Sequence, residues 1–196
     1  MAYPTVSAPY GLKPINLIGG QVFAGSTRKL PIQYAYATNI FYGDTVVLSR
    51  GYITRAAVTT GTSTDQVTGV FLGVSYTNPS TKQPTFAQNW VGGTLAGDAF
   101  AIVADDPDTV FKAVVVASQG SSTVASGNTS LIGQNVSGSD LAGNLNTGDS
   151  YNGILAPTAT PVTTTLPFRV VDIVRDTVVP LGTATFSSIS TATITT

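Results

Sequence analysis

The complete absence of Glu, combined with an abundance of Thr and Gly, is the strongest constraint on the fold of this chain. Glu does not occur, so all ten acidic residues are Asp, while Thr occurs 30 times and Gly 20 times among 196 residues. β-branched Thr favours strands, and Gly and Asp favour turns. The composition therefore predicts an all-β fold, a single β-barrel or sandwich-like domain made of many short strands.

The residues that most enzymes need are missing from the sequence. There is no His and no Cys, which removes the imidazole base, the thiolate nucleophile and the usual transition-metal ligands. The chain has 42% hydrophobic residues against 10% charged residues, enough to bury a core. The longest apolar run is too short to cross a membrane. We therefore expect a non-enzymatic protein without cofactor or metal, made in the cytoplasm.

Residues 1–20 predict an extended N-terminal arm. Pro4, Pro9 and Pro14 exclude helix and remove amide donors. The arm is also too apolar for a solvated tail, so we expect it to lie along a surface of this subunit or of a neighbour. The β domain then covers residues 21–196.

Short β-like runs alternate with turn residues in that domain. A tight turn at Arg50-Gly51 predicts a β-hairpin. Residues 120–161 form a loop-like insertion rich in Ser, Gly, Asn and Thr, functional or mobile, with a short helical turn at 139–142. The predicted strands are residues 32–37, 45–48, 52–57, 67–76, 99–104, 110–117, 168–175 and 184–194.

Three carboxylates stand together in the stretch DDPDTVF, between two predicted strands. Pro107 suits position i+1 of a type I turn, Asp106 suits position i and Asp108 tolerates i+2. A turn is favoured, because the stretch lacks the alternating ligands, the Gly and the closing Glu of a calcium loop. A weak calcium or magnesium contact stays open, and a hydrolase that uses Asp105, Asp106 and Asp108 is a distant alternative.

Charge is distributed unevenly along the chain. Residues 1–60 hold five basic residues and one acidic residue, whereas residues 61–196 hold four basic and nine acidic residues. The cations are either scattered solvated charges or a face that docks on an acidic partner. Five cations without interleaved aromatic residues are too few for a nucleic-acid groove.

The aromatic residues allow two interpretations. They could form a sugar-binding platform, but packing in the core or at a subunit interface is the commoner fate of such side chains. The residues concerned are Phe41, Tyr42, Phe71, Tyr76, Phe86 and Trp90.

Four blocks in a fixed order carry a resemblance to a known family. They are APYGLKP (residues 8–14), NIFYGDTV (39–46), GVFLGVSYT (69–77) and DDPDTVF (105–111), with a looser match at LPFRVVDI (166–173). In these blocks the chain resembles a family of small virion structural proteins from tailed bacteriophages, many of them marine. The resemblance implies a head decoration protein, also called a cement protein, located on the capsid surface.

The implied partners are the major capsid protein and further copies of this chain. Symmetry favours a homotrimer at threefold positions of the head. A dimer at twofold positions would also bridge the junctions between capsid subunits. The alternative function is a receptor- or glycan-binding module of a phage tail or fibre. The residues expected to contact the capsid are Pro9, Tyr10, Leu12, Lys13, Pro14, Ile15, Arg28 and Lys29.

Overall fold

The computed structural model describes residues 8–56, 67–125, 131–155, 166–174 and 189–194. These residues contain thirteen strands and no helix, which confirms the all-β prediction. In chain order the strands are β1 (Lys13–Leu17), β2 (Arg28–Pro31), β3 (Thr45–Ser49), β4 (Tyr52–Arg55), β5 (Gly69–Thr77), β6 (Pro84–Ala87), β7 (Phe100–Ala104), β8 (Thr109–Val116), β9 (Asn135–Val136), β10 (Gly138–Ser139), β11 (Gly153–Leu155), β12 (Phe168–Val174) and β13 (Ile189–Ile194).

The first sheet has six strands in the order β2-β7-β5-β3-β4, with β6 also paired to β5. Its β3–β4 hairpin has the two-residue loop that the sequence predicts, because Ser49 pairs with Tyr52. Arg50 and Gly51 have φ values of 51° and 86°. Two successive positive φ values are typical of a type I′ turn, whose twist matches that of the flanking strands.

The second sheet has seven strands in the order β10-β11-β8-β13-β12-β9. β1 pairs antiparallel with the first half of β8, and β11 pairs in parallel with its second half. β8 is therefore covered on one edge by the N-terminal segment and by the region that follows residue 131. The remaining edge of β8 pairs with β13.

Two apolar cores lie on opposite faces of the first sheet. Along β5, Val70 faces the core between the two sheets, while Phe71 and Val74 face a second core on the other side. A bulge opposite β7, between Phe71 and Gly73, keeps Phe71 and Val74 on one face despite their odd spacing. Alternation of side chains along a strand thus supplies both cores from one element.

The core between the sheets is built mainly from the second sheet. Phe111 and Phe168 are fully buried there, and Leu12 joins them at 1% exposure. The second core is centred on Trp90, which is fully buried and donates its indole N–H to the Tyr36 carbonyl oxygen at 3.1 Å. Burial of each such side chain contributes about 2–3 kcal/mol to folding.

The arrangement fits a sandwich rather than a closed barrel. Within the described residues one parallel bridge, Ile32 to Ile53, brings the edge strands β2 and β4 together at one end. No continuous ladder closes the sheet among the described residues. The sandwich-like alternative of the prediction is the one that the structure supports.

Two local predictions are wrong. Residues 33–37 form a turn instead of a strand, with Ala35 at φ 55° and a hydrogen bond from Tyr36 N to the Gln33 carbonyl oxygen. The helical turn expected at 139–142 is absent, because Ser139 pairs in β10 with β11. The described part of the 120–161 insertion contributes three short strands, so it is more ordered than its loop-like composition predicts.

Candidate functional site

The N-terminal segment is part of the folded domain from residue 9 onwards. Pro9 is buried, and Leu12 lies in the core between the sheets. Tyr10 is half-buried, and its hydroxyl group is buried without a hydrogen-bond partner among the described residues. Burial raises the pKa of Tyr10 to about 12. These three side chains therefore pack against their own chain.

Lys13 is also bound within the chain. Its Nζ lies 3.0 Å from Asp149 Oδ1 and 3.8 Å from the centre of the Tyr42 ring. The same carboxylate oxygen accepts a hydrogen bond from Gln88 Nε2 at 3.1 Å. Burial and the Asp149 charge raise the pKa of Tyr42. Lys13 thus joins the N-terminal segment to the turn that precedes β11.

The exposed part of the N-terminal segment is a hairpin. A hydrogen bond from Leu17 N to the Gln21 carbonyl oxygen closes its turn, and Asn16 bridges to Val22. Large aliphatic side chains stand in water there: Ile15 is 43% exposed, Ile18 52% and Val22 79%. Pro14 is half-buried beside them.

Two basic residues lie at the start of β2, close to the N-terminal hairpin. Arg28 and Lys29 are exposed, and Arg28 pairs with Asp105. The turn after β7 also accepts a hydrogen bond from Ile18 N at the Asp108 carbonyl oxygen, at 2.8 Å. The hairpin tip and β2 thus meet at one turn. We call Ile15, Ile18, Val22, Arg28 and Lys29 together the hairpin edge.

The DDPD stretch forms the predicted turn. Thr109 N donates to the Asp106 carbonyl oxygen at 3.0 Å, and Asp108 N donates to Asp106 Oδ1 at 3.0 Å. Asp105 pairs with Arg28 instead of joining its neighbours. Among the described residues there is no group of three or more His, Cys, Asp or Glu side chains placed to hold a metal ion. The Asp106 carboxylate thus stabilises the turn, the Asp105 carboxylate forms the ion pair, and Asp108 takes part through its backbone.

A buried polar cluster links the two sheets; we call it the Asp44 junction. Asp44 is fully buried, and its Oδ2 accepts hydrogen bonds from Phe41 N at 2.9 Å and Arg55 Nε at 3.0 Å. Its Oδ1 accepts a hydrogen bond from the Ser150 hydroxyl at 2.5 Å. Burial is the main influence on the Asp44 carboxyl and raises its pKa, although Arg55 and Ser150 act in the opposite direction.

Arg55 extends the junction into the region after residue 131. Its Nη2 donates to the Leu141 carbonyl oxygen at 3.0 Å and pairs with Asp140. Asn152 Oδ1 accepts a hydrogen bond from Leu141 N, also at 3.0 Å. Ser150 is fully buried, so its contact with Asp44 does not present a nucleophile to the solvent. The junction holds elements together.

The aromatic residues considered from the sequence are mostly packed inside. Phe41, Phe71 and Trp90 are buried, and Tyr76 makes an edge-to-face contact with Trp90, with ring centres 5.8 Å apart. Phe86 is the exception at 75% exposure. These residues therefore do not form a common platform.

A different set of aromatic side chains lines a cleft beside strands of the first sheet. Tyr34 is 59% exposed, Tyr52 44% and Phe100 43%, and all three line an open space of about 440 Å³. Pro31 and Arg50 are among the other residues that line it. We call Tyr34, Tyr52, Phe100, Pro31 and Arg50 the aromatic cleft. They come from three separate segments, so no spacing in the sequence indicates them.

The uneven charge of the sequence is largely paired inside the chain. Three of the five cations in residues 1–60 form ion pairs with acidic residues: Lys13 with Asp149, Arg28 with Asp105, and Arg55 with Asp44 and Asp140. Lys29 and Arg50 form no ion pair within the described residues. They are the cations that remain for an outside partner.

Comparisons with protein-family models, with curated proteins and with solved structures returned no match to this chain. Where the structure describes the chain, no helix is long and apolar enough to cross a membrane.

Proposed function

We propose that this chain is a capsid decoration protein of a tailed bacteriophage, which binds the outer face of the head and stabilises it across capsomer junctions. The four sequence blocks that resemble small phage virion proteins support this proposal. The single structural observation that supports it is the hairpin edge, where three large aliphatic side chains stand in water on a hairpin pinned to its own domain.

Such an edge suits a docking role. Exposed Ile and Val side chains cost little when single, but several on one hairpin provide apolar area that a partner can bury. The hairpin is ordered by β8 on one side and by the Asp105–Asp108 turn at its tip. A preordered edge loses little conformational entropy on binding. Cement function needs this kind of contact area and no reactive group.

The major capsid protein is the proposed partner. The set of residues proposed to contact it is smaller than the set expected from the sequence. Of the eight residues expected there, Ile15, Arg28 and Lys29 are exposed. Lys29 lacks an ion pair among the described residues, so it suits an acidic capsid surface. Ile18 and Val22 join the set. Self-association as a homotrimer or a dimer would place copies of the edge around a symmetry axis of the head.

The proposal is tested by co-sedimentation of the purified protein with mature heads of its own phage from which it has been removed. We expect saturable binding at a ratio that matches threefold or twofold sites. Val22→Asp, at the most exposed position of the hairpin edge, should weaken binding about tenfold or more, because a charge replaces apolar contact. Val91→Asp is the matched control, since Val91 is 50% exposed and lies outside the edge.

Binding that is equally lost in both variants, or in neither, would contradict the role of the hairpin edge. Absence of binding by the unchanged protein would contradict the proposal as a whole. In that case the same preparation is tested on host cells, which separates decoration from a tail or fibre module that recognises a receptor.

A further inference from the structure

The aromatic cleft is built from three segments that the first sheet holds in fixed positions. Phe100 pairs with Pro31 across β7 and β2, and Tyr52 follows the β3–β4 turn. Ile32 N donates to the Ala99 carbonyl oxygen at 2.9 Å, and Ile32 bridges to Ile53. Backbone hydrogen bonds thus set the spacing of the walls. A volume of about 440 Å³ is within the range of small-ligand sites.

The aromatic cleft leaves three aromatic rings exposed around one open space. The chain buries Phe71, Phe111, Phe168 and Trp90 completely, so it has room for large aromatic side chains in its cores. At the cleft it leaves two Tyr rings and one Phe ring in contact with water instead. Tyr combines an apolar ring with a hydroxyl group that can donate or accept a hydrogen bond. Such a surface suits a ligand with both apolar faces and hydroxyl groups.

The charge of the cleft is one-sided. Arg50 is the charged residue of the lining, and no carboxylate lines the space. Arg50 also holds a φ of 51°, a conformation that Gly, Asn and Asp adopt more easily than Arg does. A guanidinium group binds a carboxylate through two parallel hydrogen bonds. The cleft is therefore complementary to a ligand that carries a carboxylate.

We propose that the aromatic cleft binds the carboxylated sugar of an oligosaccharide. The apolar face of the sugar ring would stack on Tyr34, Tyr52 or Phe100, the Tyr hydroxyl groups would contact its hydroxyl groups, and Arg50 would bind its carboxylate. A nucleic acid fits less well, because one cation gives little attraction to a phosphate backbone. The inference does not depend on the capsid role, since the cleft and the hairpin edge are separate sets of residues.

One more exposed aromatic ring lies on the same face of the sheet as Phe100, outside the aromatic cleft. Phe100 and Phe86 both lie opposite Ser75, on the strands that flank β5. Residues in register on neighbouring strands point to the same face, with about 5 Å between strands. Phe86 therefore stands about 10 Å from Phe100 on the same face. A chain of sugars can reach both rings, which favours an oligosaccharide over a single sugar.

The test is binding of the purified full chain to an array of oligosaccharides that contain uronic or sialic acids, each beside its carboxyl-reduced neutral counterpart. Hits are quantified by saturation-transfer NMR. We expect binding of at least one acidic oligosaccharide, about tenfold weaker binding of its neutral counterpart, and loss of both in Tyr52→Ala.

Arg50→Asn removes the charge of the cleft without disturbing the β3–β4 turn. Asn-Gly is the preferred sequence of a type I′ turn, so this change should keep or raise the free energy of unfolding. The same change should lower affinity for the acidic oligosaccharide about tenfold and leave the neutral one unaffected. Lys29→Asn, which removes a cation outside the cleft, should alter neither. Failure of every saccharide to bind, equal binding of acidic and neutral partners, or unchanged affinity in Arg50→Asn would overturn the inference.

Discussion

Gly43 lies where the N-terminal segment crosses the loop that precedes β3. Leu12 N donates to the Gly43 carbonyl oxygen at 3.0 Å, and Gly43 N donates to the Phe71 carbonyl oxygen at 2.8 Å. Gly43 has a φ of 92°, and a Cβ atom there would lie 2.9 Å from Leu12 N. Both the backbone conformation and the close approach require Gly at this position.

Gly43→Ala should therefore destabilise the protein by about 3 kcal/mol or more, because it combines a strained φ with a backbone clash. Gly19→Ala is the matched control: Gly19 has nearly the same φ, 95°, but no atom lies within 4 Å of the added Cβ. It should cost about 1 kcal/mol. Urea unfolding of both variants measures the difference, and equal losses would show that the crossing is not tightly packed.

At the scale of elements, β1 is a structural strand of the second sheet. It pairs with β8 through Lys13, Pro14, Asn16 and Leu17. Leu12, the residue before it, is 1% exposed in the core between the sheets. Removal of Leu12 together with β1 would therefore disturb the core between the sheets.

Leu12→Ala should lower the free energy of unfolding by about 2–4 kcal/mol, because it leaves a cavity between the sheets. Leu145→Ala should change it by less than about 0.5 kcal/mol, since Leu145 is 55% exposed. Chemical denaturation of the two variants gives both values. A loss below about 1 kcal/mol for Leu12→Ala would mean that β1 contributes little to the fold.

The elements that sequence predicts well are those with local causes. The β3–β4 hairpin follows from Arg50-Gly51, whose turn type depends on those two residues. The sequence predicts a strand at 32–37, whereas β2 lies at Arg28–Pro31, because these residues are mostly poor strand formers and only pairing with β7 makes them a strand. The sequence predicts a helical turn at 139–142, but pairing of Ser139 with β11 overrides this local preference.

The residues of the candidate sites also differ in whether their position depends on the local sequence or on contacts with distant residues. Ile15, Arg28 and Lys29 are among the residues that the sequence predicts at the capsid contact, and all three are exposed. Burial of Pro9 and Leu12 depends on contacts with distant residues, so the sequence leaves open whether the arm packs on its own subunit or on a neighbour. The aromatic cleft was missed because Tyr34, Tyr52 and Phe100 come together only when β2, β4 and β7 occupy one sheet.

At the scale of the whole molecule, Arg55 connects the two halves of the sandwich. It belongs to β4 in the first sheet, and it binds Asp44, Asp140 and the Leu141 carbonyl oxygen next to the second sheet. Its side chain is 14% exposed, while Asp44 is fully buried. A buried carboxylate that loses its cationic partner is costly, because it has neither water nor an opposite charge.

Arg55→Met should therefore lower the free energy of unfolding by about 3–5 kcal/mol at neutral pH. The loss should shrink as the pH falls. The pKa of Asp44 is already raised above its ordinary value of 3.8 by burial, and loss of the Arg55 charge raises it further. Between the ordinary and the raised pKa the folded state holds more protons than the unfolded state, so acidification favours folding. Urea unfolding at a series of pH values from about 4 to 8 follows this recovery.

Arg28→Met is the matched control, since the Arg28 side chain is 57% exposed and pairs with Asp105 at the surface. It should cost less than Arg55→Met, because the Asp105 side chain keeps 18% of its surface in contact with water whereas Asp44 is fully buried. A loss in Arg55→Met that stays constant or grows in acid would show that Asp44 carries no uncompensated charge there. Recovery of the Arg55→Met variant in acid would establish that an ion pair joins the two sheets. It would also show that the contribution of this ion pair to the free energy of unfolding depends on the ionisation of one buried carboxyl group.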